Sequence, residues 1–509
     1  MSLDSALAIS TGGLANISAQ LAVISQNVAN ANTPDYAREV ATQTSLTAQG
    51  LGMGVSRGPT ARDIDLQVQT DLFRQDSAVA GLQTKQSALQ RIDAVQGTPG
   101  GGTDLSSLLG KVQDSFSTLS QDPSSQTQQA QVVNSATNLV SQINTLATTY
   151  ATVRQTAQDG VVADVATLNT TLGTIGSLST QIVSGKAQGQ STAGLENQRD
   201  AAMHTLSQLI DVNFLKQSNG DVLAVTAGGT TLPIHAAAPP FQTNAATIGA
   251  GSFYPGGGVP PVTLNGIDVT AQLTGGTLGA NIALRDSIVP SYQATLDQFS
   301  QTLSDRFQQQ GLTLFSDPTG TVPAAVGVPV QSGYVGYSQT IQVNPAVLSA
   351  PNLVRDGTDT IAGSASGASA FTPNPPGGPA GVTGLISRVL NFALGSQVQA
   401  GVAQPPPPTN GLGPSGTLNA PFAPPPDLAS FATNLVGAQA QDSATATSDL
   451  STEKSVQTAL QTNLSTRASV NIDTEMGAMV QLQNAYGANA RVISAIQTLW
   501  TQLLAAVVP

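Results

Sequence analysis

The stretch "NVANANTPDYAR" (Asn27–Arg38) decides how this chain is read. It ends an apolar segment and then turns sharply. Thr33 stands before Pro34 and is pushed out of the helical region. Pro34 cannot continue a helix, and Asp35 tolerates a turn or a left-handed backbone. The helix should therefore stop between Asn30 and Asn32. On its N-terminal side, Leu3, Leu7, Leu14, Ile17, Leu21, Ile24 and Val28, with Ser10 filling one polar position, step alternately by four and three residues. That is the seam of a coiled coil. Gly12-Gly13 weakens it by roughly 1 kcal/mol per glycine. Such a helix is marginal alone in water and needs a partner, whether another chain or its own domain core.

Working outward, helical spacing resumes near Asp63 with Leu72, Val79, Leu82, Leu89 and Ile92. "GTPGGGTD" (97–104) interrupts it, and Thr103 or Asp104 can cap the next helix. Further long, thin helices carry Val133, Val140, Ile143 and Tyr150, then Val165 to Ile182, then Leu195 to Leu209. After Asp211 the chain alternates, and Ser-Asn-Gly-Asp signals a hairpin. One helix over 281–311 places Tyr292, Leu296, Phe299, Leu303 and Phe307 on one face. From Leu312 to Asp427 strand-like pieces mix with Gly/Pro-rich loops. Thirteen of the 30 prolines fall between Pro373 and Pro426, a composition of loop or extended linker.

Helix returns from Leu428, breaks near Ser469 and runs on. Ile472, Met476, Met479, Tyr486, Ala490, Ile493, Trp500, Leu504 and Val507 form one row, and Leu482, Ala485, Val492, Ile496, Leu499 and Leu503 a second. Two adjacent rows are too wide for a single partner helix. One can meet the N-terminal helix. The other needs a neighbour, a chaperone or a membrane, and the near absence of Lys and Arg from this helix speaks against the membrane.

The expected fold is α+β and multidomain: a terminal helical coiled coil (1–62 and 467–509), a long-helix domain (63–211, 280–311 and 427–466) and an inserted β-rich outer domain (212–279 and 312–426).

Composition narrows the function. Charged residues are 9%, against roughly 25% in an average soluble protein. A surface of Ser, Thr, Gln and Asn suits side-by-side packing of identical subunits, because like charges are not brought together. Net charge is −12, which disfavours nucleic acid. No cysteine is present, so disulfides, thiolate metal sites and thiol nucleophiles are excluded. No continuous apolar run reaches the about 18–20 residues of a spanning helix, and the N-terminus lacks the basic region of a cleavable signal. The two histidines, His204 and His235, show no triad or metal pairing, and His204 reads as a surface or boundary residue. Arg199-Asp200 and Arg285-Asp286 read as structural ion pairs. Enzyme motifs are lacking, so an enzyme is not expected and neither is a cofactor.

"ISAQLAVISQNVANANTPDYAR" (17–38) resembles the N-terminal signature of bacterial flagellar axial proteins. Asn27, Ala29, Asn30, Thr33, Pro34, Tyr36 and Arg38 match, while Asp35 replaces the usual glycine. "SVNIDTEMGAMVQLQNAYGANARVISAIQTLWTQLL" (469–504) resembles the family's C-terminal block. "LENQRDAAMHTLSQLIDVNFLKQSNGDVLAV" (195–225) and the helix after Gly275 look like its hook-associated members; Gln308, Gln309 and Gln310 depart from their pattern.

The resemblance implies a structural protein of the bacterial flagellum, outside the cell at the hook–filament junction, exported by the flagellar type III route without a cleavable signal. Its implied partners are further copies of itself, hook protein, a second junction protein on the filament side and a cytoplasmic export chaperone, with no nucleic acid and no membrane insertion. The assembly residues it implies are Leu7, Leu14, Ile17, Leu21, Ile24, Asn27, Val28, Asn30, Thr33, Pro34, Tyr36 and Arg38. At the other end, for assembly or chaperone binding, they are Met476, Met479, Leu482, Tyr486, Val492, Ile493, Ile496, Leu499, Trp500 and Leu503. Hook or rod protein, and a secreted coiled-coil adhesin or effector, are the alternatives.

Overall fold

A computed structural model describes residues 3–33, 35–48 and 51–507. Helix α1 (Leu3–Ala29) ends where the sequence requires, and Asp35 takes a left-handed backbone with φ 60°. Asparagine and aspartate adopt that region at modest cost, so the turn survives without glycine. Pro34 lies outside the described residues.

Residues 39–62 form strands that the sequence did not indicate. Strands β1 (Glu39–Ala48) and β2 (Leu51–Arg62) make an antiparallel hairpin on α1. Register shifts at Ala41/Gln43 and Leu46/Thr47 break the period-two pattern that would have revealed it. Gly12-Gly13 also has a second meaning. A Cβ at Gly13 would touch Asn489 of the C-terminal helix at 3.4 Å, and one at Gly12 would lie 3.9 Å from the Val55 carbonyl. The glycines lower helix propensity but let α1 approach both neighbours closely.

Helix α2 (Leu66–Gln96) starts at Asp65, whose carboxylate accepts from the Gln67 and Val68 amides. It stops at Gly97 (φ 78°). Helix α3 (Leu105–Gln121) is capped by Asp104, which holds the Ser106 and Ser107 amides. Helix α4 (Gln126–Ala187) is one rod of 62 residues, not a series of segments, because no proline interrupts it. At 1.5 Å per residue it spans about 93 Å. Helices α5 (Ala193–Leu209), α6 (Gly276–Ala283) and α7 (Val289–Gln308) pack on it, with a wider five-residue turn, Leu284–Ile288, between α6 and α7. Helix α8 (Leu428–Ala468) lies along α2, and helix α9 (Ile472–Val507) along α1.

Two apolar cores sit at different heights of α4. The first joins Leu89 and Ile92 of α2, Phe116 of α3, Val132 to Ala157 of α4, the predicted face of α7, and Phe431 and Leu435 of α8. The second joins Val161 to Ile175 of α4, Met203 and Leu206 of α5, and Val222 and Ala224 of the small sheet β3 (Val212–Lys216), β4 (Val222–Thr226) and β5 (Thr231–Leu232). The two segments expected to form one outer unit are thereby divided. Residues of 212–279 enter the second core, and those of 312–426 enter the first. Each follows directly from the helix that packs at its level, and short connections keep consecutive elements together. Nor is the proline-rich stretch a free linker. Asn410–Leu412 pairs with Leu418–Asn419, and Phe422 stacks edge-on against Phe431 with centroids 5.9 Å apart.

Two predictions arise here. A Cβ at Gly176 of α4 would sit 1.8 Å from the Ile234 carbonyl oxygen. Gly176→Ala must push the turn at Ile234, just after β5, off the rod, at a cost of about 3 kcal/mol, which a urea midpoint reads. Asp297 of α7 is buried without a cation, and its carboxylate accepts from the Gly336 and Ser338 amides at 2.7 and 2.9 Å. Burial outweighs those bonds and pushes it up from 3.8 to about 6. A raised carboxyl means that the folded chain holds the extra proton, so this group's contribution is favourable below its unfolded value and is lost as pH rises through about 6. Stability should fall by about 3 kcal/mol across that window, and Asp297→Asn should flatten the difference.

Candidate assembly site at the paired termini

The terminal helices meet through alternating contacts. On α1, Ile17, Val23 and Ile24 are buried, while Leu7, Leu14, Leu21 and Val28 recur every seven residues and stay half-buried. On α9, Glu475 and Ile496 are buried, and Met479, Leu482, Ala485 and Ile493 are half-buried. These share the inward side. Met476, Val480, Tyr486, Val492, Leu499, Trp500, Leu503 and Leu504 face outward, with Leu499 52% and Leu503 54% exposed. The structure thus mixes members of the two rows read from the sequence. It brings Met479, Leu482, Ile493 and Ile496 to α1 and leaves Met476, Tyr486, Val492, Leu499, Trp500 and Leu503 open.

At the base of this pair the opening motif forms a polar clasp. Asn27 is its hub, 1% exposed. Its Nδ2 donates to the Glu39 carbonyl at 2.9 Å and lies 3.4 Å from Glu475 Oε2. Its Oδ1 accepts from the Glu39 amide at 2.9 Å and from the Tyr36 hydroxyl at 3.0 Å. Arg38 Nε donates to Glu475 Oε1 at 2.6 Å, so the buried carboxylate of α9 is neutralised from the turn. The Arg38 amide donates to the Ala468 carbonyl at the end of α8, and the Arg38 carbonyl accepts from Asp63 ahead of α2. One residue therefore ties together the N-terminal turn, α8, α9 and the start of α2. Asn30 and Thr33 act locally: Asn30 Nδ2 donates to the Gln26 carbonyl, and Thr33 to Asn30 Oδ1.

Helix α5 fastens the clasp to the body, a role its sequence does not announce. Asn197 donates to the Ala37 carbonyl and accepts from the Ala37 amide, in the manner of a strand neighbour. Arg62, at the end of β2, bonds Glu196 at 3.1 Å and Asp200 at 2.6 Å. Asp200 therefore belongs to Arg62, and Arg199 donates instead to Ser179 and the Gly220 carbonyl. Arg285 and Asp286 do pair with each other. Burial pushes Glu196 up, but the bond from Lys186 and the charge of Arg62 outweigh it and hold it below its usual range. Glu39 is raised by its burial, with Arg62 opposing. The Tyr36 hydroxyl is held well above its usual range, first by burial and then by Glu39 and Glu475, so it remains a donor.

The described residues contain no group of three His or acidic side chains able to hold a metal. Helix α1 is long and apolar enough to cross a membrane by length and composition. This corrects the expectation drawn from unbroken apolar runs, because Ser, Gln and Asn punctuate a helix whose average is still apolar. Within the chain its inward face is taken by α9 and the hairpin.

Comparison with known proteins finds matches in three separate segments. Residues 89–321 match the family described as the flagellar hook-associated protein FlgK helical domain. Residues 7–36 match the flagella basal body rod protein family, and 465–506 the C-terminal family of the FlgEFG basal body rod proteins. The chain is 25% identical over 234 residues to flagellar hook-associated protein 1 of Bacillus subtilis (strain 168), covering 43% of this chain and 46% of that one. It is 24% identical over 326 residues to the protein of the same name from Escherichia coli (strain K12), covering 58% and 55%. It thus spans about half the length of the curated relatives it matches. A solved flagellar hook junction protein, FlgK from Burkholderia pseudomallei, aligns with 22% identity over 50% of this chain and 45% of that one, at a TM-score of 0.39. The body segment and the curated relatives are of the FlgK, hook-associated kind and the terminal segments of the rod kind, so the chain is similar throughout to structural proteins of the flagellum.

Proposed function

We propose that this chain is a structural component that joins hook to filament, assembling as a ring of copies through its terminal helices. One observation carries the reading. The termini pair with each other inside one chain and still leave the outward face of α9 open, with Leu7, Leu14, Leu21 and Val28 of α1 beside it half-covered. A face of that width, bearing few charges, closes against further helices of the same kind. The unit formed by 1–62 and 467–509 is then the axial core, with the long-helix body outside it. Hook protein on one side and a second junction protein on the other complete the assembly. Before assembly, an export chaperone takes the same open face of α9, and the chain leaves the cell by the flagellar export route. No catalysis is part of this role.

The rod-type matches at both ends favour a second reading, a rod or hook subunit. Electron microscopy of a strain lacking the gene, with flagellin assayed in the medium, separates the two. Bare hooks with free flagellin support the junction. Missing hooks move the protein into the rod or hook.

A further inference from the structure

His204 of α5 stands between carboxylates from two other elements. Its Nδ1 lies 2.8 Å from Asp35 Oδ2 in the turn, and its Nε2 lies 3.3 Å from Asp76 Oδ2 in α2. The ring stacks beside Phe73, with centroids 6.3 Å apart and planes 20° from parallel. Asp76 is 3% exposed. Its Oδ1 accepts from Gln457 of α8 at 2.7 Å, whereas its Oδ2 makes no hydrogen bond and meets the imidazole only as an ion-pair partner.

We infer that His204 is a proton-operated latch between the clasp turn and the helical body, in which the imidazolium ties Asp35 to Asp76 and loss of its proton releases one of the two ties. The chemistry of the ring requires this. Only the imidazolium has two N–H donors; the neutral ring has one. If the remaining proton stays on Nδ1, two acceptors face each other at 3.3 Å and a buried Asp76 oxygen is orphaned. The structure holds a second donor for that state: Gln208 Nε2 lies 3.1 Å from His204 Nε2 and can donate to it once the proton has left. If the proton stays on Nε2, the half-exposed Asp35 turns to water and the latch opens at the turn. The protonated ring sets a positive charge between both carboxylates, and the neutral ring does not.

The charges around the ring favour the closed state. Asp35 faces it from the turn and Asp76 from α2. On α5 itself Asp200 is engaged by Arg62 and, at 3.8 Å, by Lys216. From α8 the side chains lining the same space, Gln457, Gln461 and Ser465, are neutral, and Lys454 lines the adjoining groove that Asp76 also borders. The bond to Asp35 raises the imidazole above its ordinary 6.5, burial opposes this, and the charges of Asp35 and Asp76 add to the rise. A raised histidine stabilises its folded contacts fully below the unfolded value and loses them as pH rises through the folded value. The latch is therefore closed at acidic pH and opens as pH rises through the folded value, which lies above that of a free imidazole.

The chain has two histidines, so the full-length protein labelled at histidine nitrogen gives two imidazole signals, which His235→Gln assigns. Asp35→Gly keeps the turn, because glycine accepts a positive φ freely. The expected result is a His204 signal that stays protonated at both nitrogens to higher pH than the His235 signal, with a midpoint that falls in Asp35→Gly. Amide exchange over 35–38, corrected for the intrinsic pH dependence, should accelerate about tenfold across that midpoint. In His204→Gln it should be fast at every pH. A His204 midpoint unchanged by Asp35→Gly, a ring carrying one proton at pH 6, or exchange unaffected by His204→Gln would each overturn the latch.

Discussion

Leu499, Trp500 and Leu503 changed together to serine leave the monomer's unfolding transition in place and abolish its incorporation into flagella. All three lie on the outward side of α9, where Trp500 is 39% exposed and the two leucines more so. They lose little packing in the isolated chain. In an assembly each buries an apolar side chain worth about 2 kcal/mol, and removing three weakens the contact by about 6 kcal/mol, or roughly 10⁴-fold. The matching change on the inward side behaves differently. Ile496, 7% exposed against α1, is part of the folded chain. Ile496→Asp should unpair the termini, seen as lost helicity and protease cleavage near Ser469. Filaments that still carry the triple-serine chain at normal occupancy would contradict the role assigned to this face.

Asn27→Ala has the second large effect, and it acts within one chain. The substitution leaves the Glu39 amide and the Tyr36 hydroxyl without their acceptor and the Glu39 carbonyl without its donor. Buried groups left unpaired cost about 1–3 kcal/mol each, so the clasp loses about 3 kcal/mol or more. Asn27→Asp should fare no better, because it restores the acceptor but adds a carboxylate beside Glu39 and Glu475. The expected result by hydrogen exchange is lost protection over 36–39 and 472–476. The helical body, held by its own two cores, should melt as before. Uniform loss of protection throughout the chain would mean that the clasp stabilises the whole molecule and not the termini alone.

Local signals in the sequence are reliable where chemistry is local. Thr33 and Asp35 mark the end of α1, Asp104 caps α3, and the aromatic face of α7 is buried as its spacing indicates. The motif also contains the clasp residues Asn27, Tyr36 and Arg38, and the C-terminal block contains Glu475, without showing what joins them. Arg38 and Glu475 are 437 positions apart, and a spacing of that size has no local signature. The β1–β2 hairpin is hidden by its register shifts, which break the period-two alternation. Helix α4 reads as pieces because its outer face, rich in Thr, Ser and Gly, carries no marker of continuity. Asn197 and His204 give no sign of their role, since a polar residue on a helix is ordinarily solvated. What selects them is the turn that the fold brings against α5.

The absence of cysteine makes one measurement direct. Leu503→Cys places a unique thiol on the open face of α9, and Thr118→Cys places one on exposed α3, away from it. Isolated flagella from strains carrying either chain would be treated with a short bis-maleimide, and the cross-linked copies of this protein counted. The account predicts a ladder of linked copies from position 503 in assembled flagella, none from the soluble monomer, and none from position 118. Intact flagella whose position 503 reacts with a mono-maleimide as readily as the free monomer and yields no linked copies would show that the outward face of α9 is not where copies meet.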